Sequence, residues 1–140
     1  MFPLHVVVTA LRNIHVERPI SVMRLEYALY LCDWYYTLLH RERLTNVAWQ
    51  VTPISLLPKL PAHQRSALGS RCQSSIDDRA FQIIKFVWEK TQGLMMNDLL
   101  ELVRGSTPLT RPTIYTELDL LNCAEQYHQE KAVQDPGQRD

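Results

Sequence analysis

The sequence lacks the short motifs by which phosphate-binding, hydrolytic and metal-binding sites are usually recognised. It contains no glycine-rich phosphate loop and no G-x-S-x-G sequence. The five histidines stand far apart, with no H-x-x-x-H or H-E-x-x-H spacing. The three cysteines, Cys32, Cys72 and Cys123, form no C-x-x-C pair, so neither a zinc ribbon nor a disulfide framework fits. We therefore expect no metal, no cofactor and no enzymatic activity.

Net charge and long hydrophobic runs are also missing. Fifteen Lys and Arg residues cancel fifteen Asp and Glu residues, whereas affinity for nucleic acid comes chiefly from basic side chains on phosphate. The apolar run Leu4–Leu11 is too short to span a membrane, and it lacks the preceding basic region of a signal peptide. Cysteines without a disulfide pattern suit a reducing compartment. We therefore expect a cytoplasmic protein that binds neither nucleic acid nor membranes.

The sequence does contain one unusually apolar helical stretch within an ordinary globular composition, with 46% apolar and 21% charged residues. Between Ser21 and His40, apolar residues cover most of a helix circumference. The polar residues that remain form one strip: Glu26, Asp33, Thr37 and His40. Such a helix is usually enclosed by others. We predict an all-α fold: a single compact domain (residues 1–133) around a central buried helix at about residues 22–40, with a flexible tail at 134–140.

The flanking segments predict further helices. Leu4–Ile14 contains three consecutive valines, which favour a strand, but it also shows a helical stripe and has no strand partner nearby, so we predict a helix. Ser21 suits the N-cap of the central helix. Prolines between positions 53 and 61 exclude a long helix after it. Pro112 suits the first turn of a last helix that runs to about Ala132.

A helical hairpin is predicted between these segments. Its first helix, Arg79–Thr91, follows Asp77 and Asp78, which we interpret as acids at a helix start rather than as metal ligands. Gly93 is expected to end this helix in a left-handed conformation, and Asn97 to cap the next helix. The residues expected on the inner face of the first helix are Phe81, Ile84, Val87 and Trp88, with Ile83 at its edge.

Two interpretations of the hairpin Phe81–Arg104 stay open. A helix-turn-helix pair can place its second helix in the major groove of DNA. That second helix carries Asp98 and Glu101 and only one arginine, however, whereas recognition helices usually present Arg, Lys, Asn or Gln. The composition favours a hairpin that completes the core.

The central segment and the hairpin together carry a known pattern. The sequence reads ISVMRLEYALYLCDWY at 20–35, then Trp49 and PIS at 53–55, then IKFVWEKTQGLMMNDL at 84–99 and GSTP at 105–108. In their order and spacing, these segments resemble the Panacea domain, the SocA-like antitoxin family. The residues that fall on the family's central helix are Leu25, Leu29, Tyr30, Leu31 and Asp33. Two positions depart from the pattern: Tyr27-Ala28 replaces a lysine, and Thr52 replaces the glycine before proline.

The resemblance implies an all-α domain that binds a toxin protein and neutralises it. In the SocA case the antitoxin is also an adaptor that delivers the toxin to a protease, and family members occur on bacterial chromosomes, prophages and phages. The expected partners are therefore a cognate toxin and a protease. Two alternatives remain: a helix-turn-helix regulator that binds DNA, and another interaction protein of a phage or mobile element.

The expected partner-binding site is a groove beside the central helix, next to the polar strip, with Pro53–Leu60 as one wall. Aromatic side chains are suited to such a groove because they combine a large apolar area with a polar tip, although core packing is their commoner role. The residues expected to anchor the partner are Tyr27, Tyr30, Trp34 and Trp49, and those expected to orient it are Arg24, Glu26 and Asp33.

Overall fold

The computed structural model describes residues 1–14, 20–51, 57–69, 71–72, 76–110 and 117–134. Over these residues the protein has the predicted all-α fold, with six α-helices, one 3-10 helix and a single pair of two-residue strands. The α-helices are α1 (Leu4–Ile14), α2 (Val22–His40), α3 (Asp78–Thr91), α4 (Met96–Arg104), α5 (Thr107–Thr110) and α6 (Leu120–Gln134). The remaining elements are β1 (Gln50–Val51), β2 (Pro58–Lys59) and the 3-10 helix Ala62–Gly69.

Helix α2 lies at the centre of the fold, as predicted. It begins where the Ser21 hydroxyl accepts a hydrogen bond from the Arg24 N–H (3.2 Å), which satisfies one of the free donors of the first turn. It ends at Arg41, whose left-handed backbone (φ 57°) directs its N–H to the carbonyl of Thr37. Every residue from Leu25 to Trp34 is buried, because α1, α3, α4 and α6 all pack against this helix.

Helices α1 and α3 supply two of the walls around α2. The valines Val7 and Val8 and Leu11 are fully buried, so the stripe that predicted a helix at Leu4–Ile14 is the face that enters the core. Full burial of one such aliphatic side chain stabilises the fold by about 1.5–3 kcal/mol. In α3 the buried residues are Ala80, Ile83, Ile84, Val87 and Thr91.

This inner face of α3 corrects the prediction at two positions. Ile84 and Val87 are fully buried as expected, but Phe81 is 41% exposed and Trp88 is only partly buried. The small residue Ala80 lies inside instead, where α3 approaches its neighbours. The buried face is thus rotated from the predicted one, because α3 packs against both α1 and α2.

The turn between α3 and α4 also differs from the prediction. No glycine of the described residues has a positive φ, so Gly93 does not form a left-handed cap. The guanidinium of Arg24 instead donates to the carbonyls of Thr91 and Leu94 on the two sides of this turn, and the Leu94 N–H donates to the Thr91 carbonyl at 3.0 Å. Helix α4 begins at Met96, one residue before Asn97, and the residue before it makes no side-chain capping hydrogen bond.

The last helix begins later than predicted. Glu117 forms a β-bridge with Gln50, and the Leu118 N–H donates to the carbonyl of Trp49 at 2.7 Å, so this segment is extended. Helix α6 starts only at Leu120, after the Asp119 carboxylate accepts from the Asn122 N–H (3.0 Å). The prolines at 53 and 112 and the tail after Gln134 lie outside the described residues.

Candidate functional site

The most concentrated polar arrangement in the described residues surrounds Asp33, in the middle of α2. Its side chain is fully buried. One carboxylate oxygen accepts from the Arg43 Nε (3.1 Å) and from the N–H groups of Leu44 (3.2 Å) and Thr45 (3.4 Å). The other accepts from Arg43 Nη2 (2.5 Å), the Thr45 hydroxyl (2.7 Å) and Trp49 Nε1 (3.0 Å). We call these five residues the Asp33 cluster.

The Asp33 cluster fastens the chain that follows α2 back onto that helix. A buried carboxylate is tolerated only when it is paired and hydrogen-bonded, and here its six donors all come from residues 43–49. Arg43 extends the network with a bond to the Val47 carbonyl at 2.7 Å. Because its acceptor positions are taken, this carboxylate is not free to act as a general base or a metal ligand.

A second contact joins three distant parts of the chain around Tyr30. Its ring packs edge-on against Trp49, with 5.6 Å between ring centres. Its hydroxyl lies 2.7 Å from the Ser106 hydroxyl, which itself donates to the carbonyl of Val103 (2.6 Å). Tyr30 is therefore the donor to Ser106, since Ser106 has a single proton. Burial raises the pKa of the Tyr30 phenol, which keeps it protonated and able to donate.

Glu26 is the other buried carboxylate of α2, and it faces the strand β2 and the 3-10 helix. It accepts from the Arg65 guanidinium at 2.8 Å. Lys59 Nζ lies 4.0 Å from the same carboxylate and 5.8 Å from the centre of the Tyr27 ring. Glu26 therefore joins α2 to two neighbouring elements through one shared negative charge.

These contacts show that the predicted partner-binding residues lie inside the fold and not on its surface. The polar strip of α2 faces inward at Glu26, Asp33 and Thr37 rather than toward a solvent-exposed groove, because the chain after α2 folds over it. Arg24 is partly buried and bonded to the end of α3. The remaining predicted residues are all at most 3% exposed: Glu26, Tyr27, Tyr30, Asp33, Trp34 and Trp49. Their role in partner binding stays a prediction, and in this conformation their contacts are with the chain itself.

The chain matches no family model, no curated protein and no solved structure. The family suggested by the sequence pattern therefore stays a prediction.

An aromatic contact that is partly exposed lies elsewhere, between α2 and α3. The rings of Tyr35 and Phe86 meet edge-on at 5.6 Å, and Phe86 is 47% exposed. Lys90 Nζ lies 5.7 Å from the centre of the Phe86 ring, and Leu39, one turn after Tyr35, is 66% exposed. Arg79 lies over the ring of Tyr36 at 5.7 Å. We call the surface formed by Tyr35, Leu39, Arg79, Phe86 and Lys90 the α2–α3 seam.

Sequence reasoning did not identify Phe86 as a candidate for a binding surface. The available signal was that Phe86 is apolar yet falls outside the inner face built by its neighbours Ile84 and Val87. An aromatic residue off the core face of an amphipathic helix is a signal for an interaction surface.

Other parts of the described chain offer less specific chemistry. No group of three or more His, Cys, Asp or Glu side chains among them could hold a metal ion, and no helix there is long and apolar enough to cross a membrane. The α3–α4 hairpin packs Leu99 and Val103 into the core, and on α4 Arg104 is paired with Glu101 at 3.5 Å. A cleft of about 360 Å³ near the start of α6 is bordered by Arg43, which is already bound to Asp33.

Proposed function

We propose that this chain is a protein-binding module of the antitoxin kind, which neutralises a cognate toxin by direct binding. The observation that carries the proposal is the contact of Tyr30 with both Trp49 and Ser106. These residues belong to three separate segments of the resemblance: the central helix, the tryptophan that follows it, and the element after the hairpin. Tyr30 therefore joins the three segments that carry the resemblance into one packed unit.

The Asp33 cluster gives a second line of support. Asp33 is one of the resembling positions of the central helix, and its carboxylate binds the side chain of Trp49. The buried charges Asp33 and Glu26 are both paired with cations of the same chain, which suits a rigid scaffold for a binding surface better than a reaction centre. Under this proposal, delivery of the bound toxin to a protease is an additional step.

Co-expression with the product of the neighbouring open reading frame tests the proposal. That product alone is expected to stop growth of a bacterial host, and co-expression of this chain is expected to restore growth. The two proteins should also co-purify as a complex of defined stoichiometry at physiological salt. A harmless neighbour, or a toxic one that neither binds this chain nor is relieved by it, would contradict the proposal.

The role of a protease is tested in the same cells. If the chain acts as an adaptor, the toxin should disappear faster after translation is stopped when the chain is present. A toxin that stays at constant level while growth is restored would assign neutralisation to binding alone.

A further inference from the structure

The α2–α3 seam is an apolar surface that the fold itself does not require. Helices α2 and α3 run antiparallel, because Arg24 near the start of α2 bonds to the end of α3, while Tyr36 near the end of α2 contacts Arg79 near the start of α3. The core side of α3 is filled by residues such as Ile84 and Val87, both fully buried. Phe86 lies beside this core and not within it.

The rings of the seam are only partly covered by their neighbours. Phe86 presents an edge contact to Tyr35 and approaches Lys90, yet almost half of its surface remains exposed. Leu39 adds an aliphatic side chain that is two-thirds exposed, one helical turn from Tyr35. Large aromatic residues of this kind, rather than scattered polar contacts, supply most of the affinity at protein interfaces.

The charges along the seam identify the kind of partner that fits it. Residues 79, 86 and 90 share one side of α3 because they are spaced by seven and four positions. Arg79 and Lys90 therefore flank Phe86, and both lie against aromatic rings at 5.7 Å. The acid paired with Arg79 is Glu42, at 3.7 Å, which leaves Lys90 to give this surface a positive border.

We propose that the α2–α3 seam binds an amphipathic helix of the partner protein, with apolar residues against Tyr35, Leu39 and Phe86 and an acidic residue against Lys90. A helix is the occupant that suits the site, because two antiparallel helices form a groove into which the side-chain ridges of a third helix pack. This inference rests on the proposed function, in which the partner is the toxin. It specifies the surface of this chain that contacts the toxin.

A synthetic peptide tests the chemistry without the toxin. The probe is a fluorescein-labelled amphipathic helix of about 18 residues, long enough to form a helix, with leucine on one face and glutamate on the other. Its binding to the full chain is followed by fluorescence anisotropy. An otherwise identical peptide with lysine in place of glutamate is expected to bind at least about tenfold more weakly, and added salt is expected to weaken only the acidic peptide.

The structure offers matched control variants on the same helix. Phe86→Ala is expected to weaken binding of the acidic peptide about tenfold or more, whereas Phe81→Ala should leave it within about twofold. Phe81 is similarly exposed, at 41%, but lies five residues away and therefore on another side of α3. Lys90→Glu should likewise weaken binding, and Lys85→Glu, its equivalent on that other side, should have little effect. Circular dichroism checks that all four variants keep their helical content.

Two results would overturn the assignment: no binding of the acidic peptide, or equal losses from the Phe86→Ala and Phe81→Ala variants. A dimer that dissociates when Phe86 is replaced, measured by light scattering, would assign the seam to self-association instead. The toxin assay separates the two proposals. If the Phe86→Ala chain still neutralises the toxin fully, the seam is wrong and the antitoxin function stands. If the peptide binds at the seam but the neighbouring product is harmless, the seam stands and the function is wrong.

Discussion

The Asp33 cluster and the α2–α3 seam both include residues of α2. In both, the usual positions of polar and apolar side chains, outside and inside the fold, are exchanged. Asp33, a charged residue, is fully buried, while Leu39, six residues later, is 66% exposed. The carboxylate is stable inside because six donors from the following chain surround it. The comparison teaches that polarity alone does not tell which residues of a central helix face a partner. The residues available to a partner are those whose side chains are not held by contacts inside the chain.

The largest effect is expected where the cluster is broken. Asp33→Ala leaves Arg43, Thr45 and Trp49 without their shared acceptor, and loss of one partner of a buried pair costs about 3–5 kcal/mol in the free energy of unfolding. Urea denaturation measures it. The matched control is Glu125→Ala, which removes the exposed ion pair with Arg41 and should cost less than about 1 kcal/mol. Similar losses in both variants would show that Asp33 is not an anchor.

The second effect compares two neighbours on α3. Val87→Ala removes two methyl groups from a fully buried site and is expected to lower the free energy of unfolding by about 2 kcal/mol. Phe86→Ala removes a larger side chain from the seam but should cost only about 1 kcal/mol, because it loses an edge contact with Tyr35 and little core packing. The reverse order, measured by the same urea titration, would make Phe86 a core residue and remove the basis of the seam.

A smaller effect is expected at the contact that joins the three segments. Tyr30→Phe removes the hydrogen bond to Ser106 but keeps the ring against Trp49. Ser106 still donates to the Val103 carbonyl, so no buried donor is left unpaired, and the cost at neutral pH should be about 1 kcal/mol. A loss well above this, measured by denaturation, would show that the ring had moved as well. Ser106→Ala provides the control from the other side of the bond.

The helices could be predicted because their signals are local. The stripe in Leu4–Ile14, the hydroxyl of Ser21 and the acids before α3 each act within one or two turns of their own helix, and the structure agrees with all three. The α3–α4 turn could not be predicted in the same way. In this turn the carbonyls of Thr91 and Leu94 accept hydrogen bonds from Arg24, some seventy residues earlier in the chain. No local sequence pattern indicates that contact.

The candidate site was harder to predict, because the surroundings of each side chain depend on tertiary packing. From the sequence alone, Asp33 is expected to be a surface residue on a polar strip. In the structure it is buried, because Arg43, Thr45 and Trp49 fold back onto it. Phe81 and Phe86 are both apolar residues on an amphipathic helix, and the rotation of α3 against α1 and α2 decides how each is placed. Helical periodicity indicates that a buried face exists, but its edges are set by the neighbouring helices.

The smallest predicted effect is the pH dependence of stability that arises from the buried Tyr30 phenol. Burial raises the pKa of Tyr30 above its ordinary value of 10.0, so the folded chain holds its proton where the unfolded chain begins to lose it. Stability from this group is therefore fully present below pH 10 and is lost as the pH rises further. At pH 10 the loss is about 0.4 kcal/mol, because half of the unfolded chains have ionised at this residue. The stability difference between the wild-type chain and Tyr30→Phe should shrink by this amount between pH 8 and pH 10, since the other tyrosines are common to both. A constant difference, measured by urea titration at each pH, would mean that the Tyr30 phenol ionises equally easily in the folded and unfolded chains.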